Sequence, residues 1–312
     1  MRIITIGMNT SLVYKVGLCA CIGYFDGMHL GHQRLIEKTI AMSKEKGCES
    51  ALITFDPDPW VTIRNQKDVH HISTFRERIN QAVGLGIENI VILQFDKEMS
   101  RLSPEQFLTD ILGRLNLKGM VCGFDFHYGA KGMGNAETLQ RHAPFDVFVV
   151  DAVSDEKGKI SSTRISECIE KGRMEEATAM MGRMFEMEGV VIHGRNKGTS
   201  MGFPTANIQY SPEYLMPKTG VYACYVQVGS EKYRAMVNVG HNPTMNYSEK
   251  VSVEAHLLNC HKDLYGKHIV IYFVSYIREE VKFRSRENLI MQLEQDTRNI
   301  NALLEDYESA IS

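Results

Sequence analysis

The sequence predicts an α/β domain with a parallel sheet, followed by an antiparallel β-barrel and a C-terminal helix. Strand-like and helix-like segments alternate over the first 150 residues, which is typical of a parallel sheet with helices on both faces. From about residue 180 the chain becomes a series of strands with no intervening helix until Ser285. Because 312 residues exceed one typical domain, we predict two domains, at residues 1–180 and 181–312.

The first half supplies the strands and helices of the predicted parallel sheet. Apolar runs predict strands over 18–22, 50–55, 89–95, 120–123 and 145–151. Helical spacing predicts helices over 32–46, 74–85 and 105–115, the last with Ser103 as N-cap and Pro104 in its first turn. In such a sheet, ligands bind beyond the carboxyl ends of the strands.

The second half begins with a predicted polar-faced helix over 166–181. Segments 221–228 and 233–239 alternate with period two around Gly229-Ser230, which predicts a hairpin. Two more strands are predicted over 251–258 and 268–276, and Glu254 lies on the face opposite Val253 and Ala255. Apolar residues at helical spacing from 287 onward predict one amphipathic helix that caps these strands.

Composition and charge exclude several classes of protein. A net charge of -3 and a pI near 6.4 give no electrostatic reason to expect nucleic acid as the main partner. Because no apolar run approaches the roughly 18 residues of a membrane span and the start lacks a signal-peptide pattern, we expect a cytoplasmic protein without a membrane partner. Seven cysteines without a CxxC pair are expected to be reduced, structural thiols.

A glycine-rich stretch over 23–32, GYFDGMHLGH, follows the first predicted strand and leads into a helix. Its glycines let the backbone approach a ligand closely, and the start of the helix attracts anions. Two histidines in this stretch could donate hydrogen bonds to an α-phosphate as its negative charge builds. A zinc site would need a third ligand, and none is apparent. The stretch therefore predicts a phosphate site, although a His-x-x-His pair alone is a weak signal.

This stretch resembles the HxGH signature of nucleotidylyltransferases, and in the form G-x-F-D-G-x-H-x-G-H it is similar to the FMN adenylyltransferase half of bacterial FAD synthetases. The resemblance implies a Rossmann-like nucleotidylyltransferase domain in which His29 and His32 are catalytic. It also implies ATP and phosphate contacts at Gly23, Phe25, Asp26, Gly27 and Gly31.

Two later stretches are similar to the same family. Residues 123–134, GFDFHYGAKGMG, imply a flavin and nucleotide pocket that includes Asp125, Phe126, Tyr128 and Gly129. Residues 160–165, ISSTRI, resemble the segment that holds the ATP phosphates, and they imply contacts from Ser161, Ser162, Thr163 and Arg164.

The chain departs from that family pattern at two positions. Ser166 stands where an arginine is expected, and Asp58 stands where a histidine is usual. Both departures remove a potential cation near the phosphates, so one alternative is a kinase whose N-terminal domain has lost adenylylation.

A second glycine-rich stretch over 194–207, GRNKGTSMGFPTAN, ends in a predicted Pro-Thr-Ala-Asn turn. Such a loop can wrap phosphates with its backbone amides while a hydroxyl and an amide help to coordinate Mg²⁺, although a long barrel loop is the simpler interpretation of the glycines alone. With its ending, the stretch resembles the riboflavin kinase signature. The resemblance implies a magnesium site at Thr205 and Asn207, and ATP contacts at Gly194, Lys197, Gly198, Gly202 and Pro204.

Further segments follow in the order of the riboflavin kinase family. VEAHL over 253–257 implies that Glu254 is the general base that activates a riboflavin hydroxyl. NVGHNPT over 238–244 and IREEVKF over 277–283 imply that Asn238, Arg278 and Glu280 help to fix the flavin or nucleotide. A structural ion pair is an equally good interpretation of Arg278 and Glu280.

The resemblance covers nearly the whole chain and implies a bifunctional riboflavin kinase and FMN adenylyltransferase. Its substrates and products would be ATP, riboflavin, FMN and FAD, with Mg²⁺ as the cofactor. Besides the kinase without adenylylation, a flavin-sensing protein that turns over slowly is a second alternative. The sequence is also compatible with a homo-oligomer.

Overall fold

The computed structural model describes residues 1–11, 13–64, 69–194, 202–241 and 251–311. These residues form two compact units, residues 1–162 and residues 163–312. Two of the predicted ATP contacts, Lys197 and Gly198, lie outside the described residues, as does most of the second glycine-rich stretch.

The first unit is built on a six-stranded parallel sheet in the order β1-β4-β3-β2-β5-β8. Its strands are β1 (Arg2–Ile6), β2 (Tyr14–Ile22), β3 (Glu49–Asp56), β4 (Asn89–Gln94), β5 (Leu115–Gly123) and β8 (Asp146–Val150). Short antiparallel pairs join β6 (His127–Tyr128) to β7 (Gly134–Asn135) and β9 (Ser154–Asp155) to β10 (Gly158–Lys159).

The central strand β2 shows why the sheet is covered on both faces. Leu18, Ala20 and Ile22 belong to one buried cluster, whereas Cys19 and Cys21 belong to another on the opposite face. A strand buried on both faces is a continuous apolar run, as the sequence predicts here. The helices that follow the strands are α1 (Leu30–Lys46), α2 (Pro59–Arg64), α3 (Phe75–Gly84), α4 (Pro104–Gln106) and α5 (Ala136–His142).

The predicted helix over 105–115 is shorter and less regular than expected. The cap at Ser103 is present, but after α4 the chain passes through a π-turn over Phe107–Ile111 and a 3₁₀ turn over Leu112–Arg114. Leu115 already belongs to β5, where it pairs with Tyr14 of β2. Pairing in the sheet therefore overrides helical spacing at the end of this segment.

The second unit begins with two helices, α6 (Ser162–Glu170) and α7 (Met174–Met181), where the sequence predicts one. The break occurs at Gly172, whose φ of 74° is left-handed and ends a helix. A closed antiparallel barrel follows in the order β11-β12-β15-β14-β13-β16. Its strands are β11 (Phe185–Ile192), β12 (Ala206–Tyr210), β13 (Gly220–Val228), β14 (Glu231–His241), β15 (Val251–Leu257) and β16 (His268–Arg278), and α8 (Arg286–Ile311) packs against it.

All seven cysteines are free thiols, and five of them are buried. Within the described ranges, no helix combines the length and the apolar character that a membrane span requires.

Candidate active sites

The first glycine-rich stretch forms a tight turn at the carboxyl end of β2. Phe25, Gly27 and Met28 all have positive φ angles there, of 62°, 73° and 40°. At Gly27 a side chain would also be crowded, because a Cβ would come within 3.0 Å of Ile72. Phe25 and Met28 are buried beneath the turn, so they support it.

His29 and His32 are held together at the start of α1. His29 is the N-cap of this helix, and its Nδ1 accepts a hydrogen bond of 3.3 Å from the backbone amide of His32. The two imidazole rings stack with 3.7 Å between their centroids. Because Nδ1 of His29 is an acceptor, the neutral ring carries its hydrogen on Nε2, where it can be donated.

Both imidazoles are held in the neutral form. Burial, together with the charge of Lys159, lowers the pKa of His29 to about 4. Burial, followed by the neighbouring His29 and the charge of Arg78, lowers the pKa of His32 well below its usual value. At neutral pH the pair therefore offers hydrogen-bond donors rather than two fixed cations. Nδ1 of His32 is buried and has no partner among the described residues.

These histidines open into a cavity of about 1240 Å³ in the first unit. The cavity brings together many of the residues that the sequence predicts for this site, namely Gly23, His29, Gly31, His32, Asp125, Phe126, Tyr128, Gly129, Ser161 and Ser162. Thr163 and Arg164 lie in the first turn of α6, with Thr163 exposed and Arg164 partly buried.

Asp26 lies beside the cavity with its carboxylate already bonded. It accepts hydrogen bonds from the amides of Ile72 and Ser73, at 3.1 and 3.0 Å, and from the hydroxyl of Ser73 at 3.2 Å. Burial alone would raise the pKa of Asp26, but His71 and these donors outweigh it and lower the pKa. The hydroxyl of Ser162 donates to the backbone carbonyl of Asp26 at 2.9 Å, so Asp26 joins three segments of the site.

The structure adds cavity residues that the sequence analysis missed. Lys159 contacts the carboxylate of Asp125 at 2.5 Å and lies over the ring of Phe124. Its position directly before the ISST segment was the signal that could have identified it. Other cations on the cavity wall are Lys97, Arg101 and Lys131, and the apolar wall includes Phe55, Trp60, Ile63, Phe95 and Phe107.

The second site is a polar row across three strands of the barrel. Glu254 of β15 is the register partner of Asn207 on β12 and of Asn238 on β14. All three residues are partly buried. The amide of Asn238 donates to Glu280 at 3.4 Å, which adds a second carboxylate to the end of the row.

The loop before β12 differs from the predicted Pro-Thr-Ala-Asn turn. Ala206 and Asn207 already belong to β12, whereas Gly202, Pro204 and Thr205 are exposed in the loop. His256 of β15 donates from Nδ1 to the carbonyl of Pro204 at 2.8 Å, which fixes the loop to the barrel. At the other end of this stretch, a Cβ on Gly194 would overlap the side-chain amide of Asn207.

Arg278 is engaged away from this row. Its guanidinium contacts both carboxylate oxygens of Asp296 on α8, through Nε at 3.1 Å and Nη2 at 2.7 Å. Because Asp296 is only 1% exposed, this pair ties α8 to β16. The structural interpretation of Arg278 therefore fits its contacts, whereas Glu280 lies next to Asn238.

The barrel site offers oxygen ligands for a magnesium ion. Among the described residues, no group of three or more His, Cys, Asp or Glu side chains could hold a metal. The side-chain oxygen of Asn207 on β12 and the hydroxyl of Thr205 in the loop before this strand are hard ligands close together in the sequence. They fit Mg²⁺, which usually takes few protein ligands and completes its shell with water and substrate phosphates.

Comparisons with known proteins match both units. A family model for FAD synthetase matches residues 14–164, and one for riboflavin kinase matches residues 181–304. Proteins named bifunctional riboflavin kinase/FMN adenylyltransferase are 38% identical in Listeria monocytogenes, 35% in Bacillus subtilis and 29% in Escherichia coli K12. The alignments cover 91%, 88% and 92% of this chain, and 93%, 89% and 93% of those proteins.

One solved structure shares the fold over almost the whole chain. It is a crystal structure from Streptococcus pneumoniae, described as a macrolide-efflux protein, with a TM-score of 0.87 and 31% identity. The structural alignment covers 96% of this chain and 99% of the streptococcal chain. The description of that structure applies to the streptococcal protein alone.

Proposed function

The chain belongs to the family of bifunctional riboflavin kinase/FMN adenylyltransferases, and we propose that its two sites divide the two reactions between them. ATP-dependent phosphorylation converts riboflavin to FMN, and adenylylation then converts FMN to FAD. A kinase without adenylylation and a flavin sensor are not favoured, because relatives named for both activities align with about nine-tenths of the chain.

Adenylylation takes place at the cavity of the first unit in this proposal. A phosphate oxygen of FMN attacks the α-phosphorus of ATP, and the bond from that phosphorus to the leaving pyrophosphate breaks. His29 donates from Nε2 and His32 from its ring to the phosphate oxygens, whose negative charge grows in the transition state. The observation that carries this assignment is the stacked pair of neutral imidazoles at the start of α1, inside the cavity.

Lys159 supplies a cation to the same cavity. Its positive charge helps to lower the pKa values of both His29 and His32. We assign Lys159 to the ATP phosphates together with Ser161 and Ser162, which line the same wall. A cation at this position offsets the absence of an arginine at Ser166.

Phosphorylation takes place at the polar row of the barrel. Glu254 orients the terminal ribityl hydroxyl of riboflavin and takes its proton as the oxygen attacks the γ-phosphorus of ATP, which releases ADP. Asn207 and Thr205 would hold Mg²⁺, which neutralises phosphate charge when it is bound. Asn238 and Glu280 support the flavin side of the row. A cytoplasmic location, a homo-oligomer and the absence of a nucleic-acid partner stay predictions.

One experiment tests the division of labour. The protein is incubated with ATP and Mg²⁺, once with riboflavin and once with FMN, and the flavins are separated by chromatography. We expect Glu254→Gln to abolish FMN formation while FMN is still converted to FAD, and His32→Ala to do the reverse. The control is Glu213→Gln, which changes an exposed loop glutamate and should leave both rates unchanged. If either site variant stops both reactions in a folded protein, the assignment is wrong.

A further inference from the structure

A cluster of ionisable side chains lies directly behind the turn that carries the two catalytic histidines. His71 stands between two carboxylates, with Nδ1 3.8 Å from Oδ2 of Asp26 and Nε2 3.7 Å from Oδ2 of Asp58. Nε2 of His71 also lies 3.1 Å from the hydroxyl of Tyr24. The side chains of His71, Asp26 and Asp58 are only 11%, 14% and 5% exposed.

The two carboxylates belong to different segments next to the cavity. Asp26 lies in the turn and holds the amides of Ile72 and Ser73. Asp58 precedes α2, and its Oδ1 accepts the backbone amide of Trp60 at 2.7 Å. Trp60 lines the cavity, together with Thr62 and Ile63 of the same helix. His71 is therefore the side chain that connects the phosphate turn to α2.

The charges around His71 favour this bridging role. Besides the two carboxylates, His71 faces Tyr24. The backbone carbonyl of Tyr24 accepts a 2.8 Å hydrogen bond from Arg78 of α3, and the ring of Tyr24 lies under the guanidinium of Arg78. The two ring nitrogens of His71 face different carboxylates, Nδ1 toward Asp26 and Nε2 toward Asp58.

We propose that His71 is a positioning residue of the adenylyltransferase site, which bridges Asp26 and Asp58 and thereby sets α2 against the turn that carries His29 and His32. It touches neither the reacting phosphates nor the catalytic imidazoles in this role. An imidazole at position 71 also explains how the chain tolerates a carboxylate at position 58, where its family usually has a histidine. The inference rests on the proposed function of the cavity.

A double-mutant cycle on FMN adenylylation tests the bridge. The variants His71→Gln and Asp58→Asn, and the two combined, are assayed in the full chain with FMN, ATP and Mg²⁺. Each single change is expected to lower kcat/KM about 10-fold or more, mainly through a higher KM for FMN, because α2 shifts while His29 and His32 remain. Both changes remove the same contact, the one between His71 and Asp58. The kcat/KM of the double variant should therefore be within about 2-fold of that of the less active single variant.

The same chain provides the controls. Riboflavin phosphorylation should stay within about 2-fold of the unmodified protein in all three variants, which shows that the barrel is intact, and an unchanged far-UV circular dichroism spectrum shows that the first unit is folded. His142→Gln, a change to an exposed histidine at the end of α5, should leave adenylylation unchanged. Three results would contradict the proposed bridge. They are a near-normal KM for FMN in His71→Gln, a loss confined to kcat, and a double variant whose loss in kcat/KM is the product of the two single losses. Retention of FAD formation by His32→Ala would instead refute the proposed function.

Discussion

At the scale of single residues, the environment of the two histidines at the start of α1 decides what they can do. The sequence predicts imidazoles that donate hydrogen bonds to a phosphate. The structure buries His29, partly buries His32 and uses Nδ1 of His29 as a helix cap, so the neutral form is favoured. The pair is therefore organised as hydrogen-bond donors at neutral pH, and Lys159 contributes the fixed positive charge.

This burial predicts acid sensitivity of the first unit. His29 has a pKa of about 4 in the folded protein and about 6.5 when unfolded, so only the unfolded chain binds this proton between those pH values. Its contribution to stability is therefore lost as the pH falls from 6.5 toward 4, by up to about 1.4 kcal/mol per pH unit. Thermal unfolding curves at pH 7 and pH 5 measure this loss. They are followed by the fluorescence of Trp60, the single tryptophan.

The variant His29→Gln has no group to titrate at this position and should lose less stability between pH 7 and pH 5 than the unmodified protein. His142→Gln changes an exposed histidine and should keep the full loss. Equal losses in His29→Gln and the unmodified protein would contradict the burial argument.

Arg278 illustrates how a residue in a family motif can serve the fold. Arg278→Ala would leave the buried carboxylate of Asp296 without its cationic partner, with Gln292 still donating to it at 2.8 Å, and we expect the barrel to lose about 3 kcal/mol of stability. Replacing both residues with leucine should recover most of that loss. Denaturant unfolding measures it, and Lys262→Ala, which breaks an exposed ion pair with Glu231, is a matched control that should have little effect. A normally stable Arg278→Ala would show that Arg278 serves the ligand instead.

At the scale of secondary structure, the barrel site depends on how closely strands approach each other. The end of β11 leads into Gly194, whose missing side chain leaves room for the amide of Asn207 on β12. Asn207 is in turn the register partner of Glu254 on β15. Strand pairing alone thus brings residues that are far apart in sequence into one polar row.

Gly194→Ala should impair phosphorylation specifically. The added Cβ overlaps Asn207 and should displace it from its place beside Glu254, so we expect kcat/KM for riboflavin phosphorylation to fall by about 10-fold or more. Adenylylation of added FMN should continue at its normal rate. The matched control is Gly84→Ala, where a Cβ meets no atom within 4 Å. An unchanged kinase rate in Gly194→Ala would show that Asn207 can move at no cost.

Local sequence patterns predicted most of the helices and strands. They failed for segments whose structure depends on pairing with strands that are distant in the sequence. Period-two alternation correctly predicted the hairpin of β13 and β14, and the cap at Ser103 was confirmed. The edge strand β1 was missed because it has five residues and exposes three of them. Strands β11 and β12 were also missed, since each has one of its two partners more than 40 residues away.

At the scale of the whole molecule, the chain is two compact units with a family match in each. The motif residues of both sites were predictable because their spacing is local. The contacts that orient them were not, since His71 and Asp296 carry no local signal and are recognised only through their partners. We assign the two reactions to separate units, so a variant that stops one reaction should leave the other intact.

Complementation between two variants tests this central claim most directly. Glu254→Gln and His32→Ala are each incubated with riboflavin, ATP and Mg²⁺, separately and as a mixture, and FAD is measured by chromatography. Alone, Glu254→Gln should leave riboflavin unchanged and His32→Ala should stop at FMN. In the mixture, FMN released by His32→Ala should be adenylylated by Glu254→Gln, so FAD should appear. Two folded variants whose mixture forms no FAD from riboflavin, even with FMN present in solution, would contradict the account.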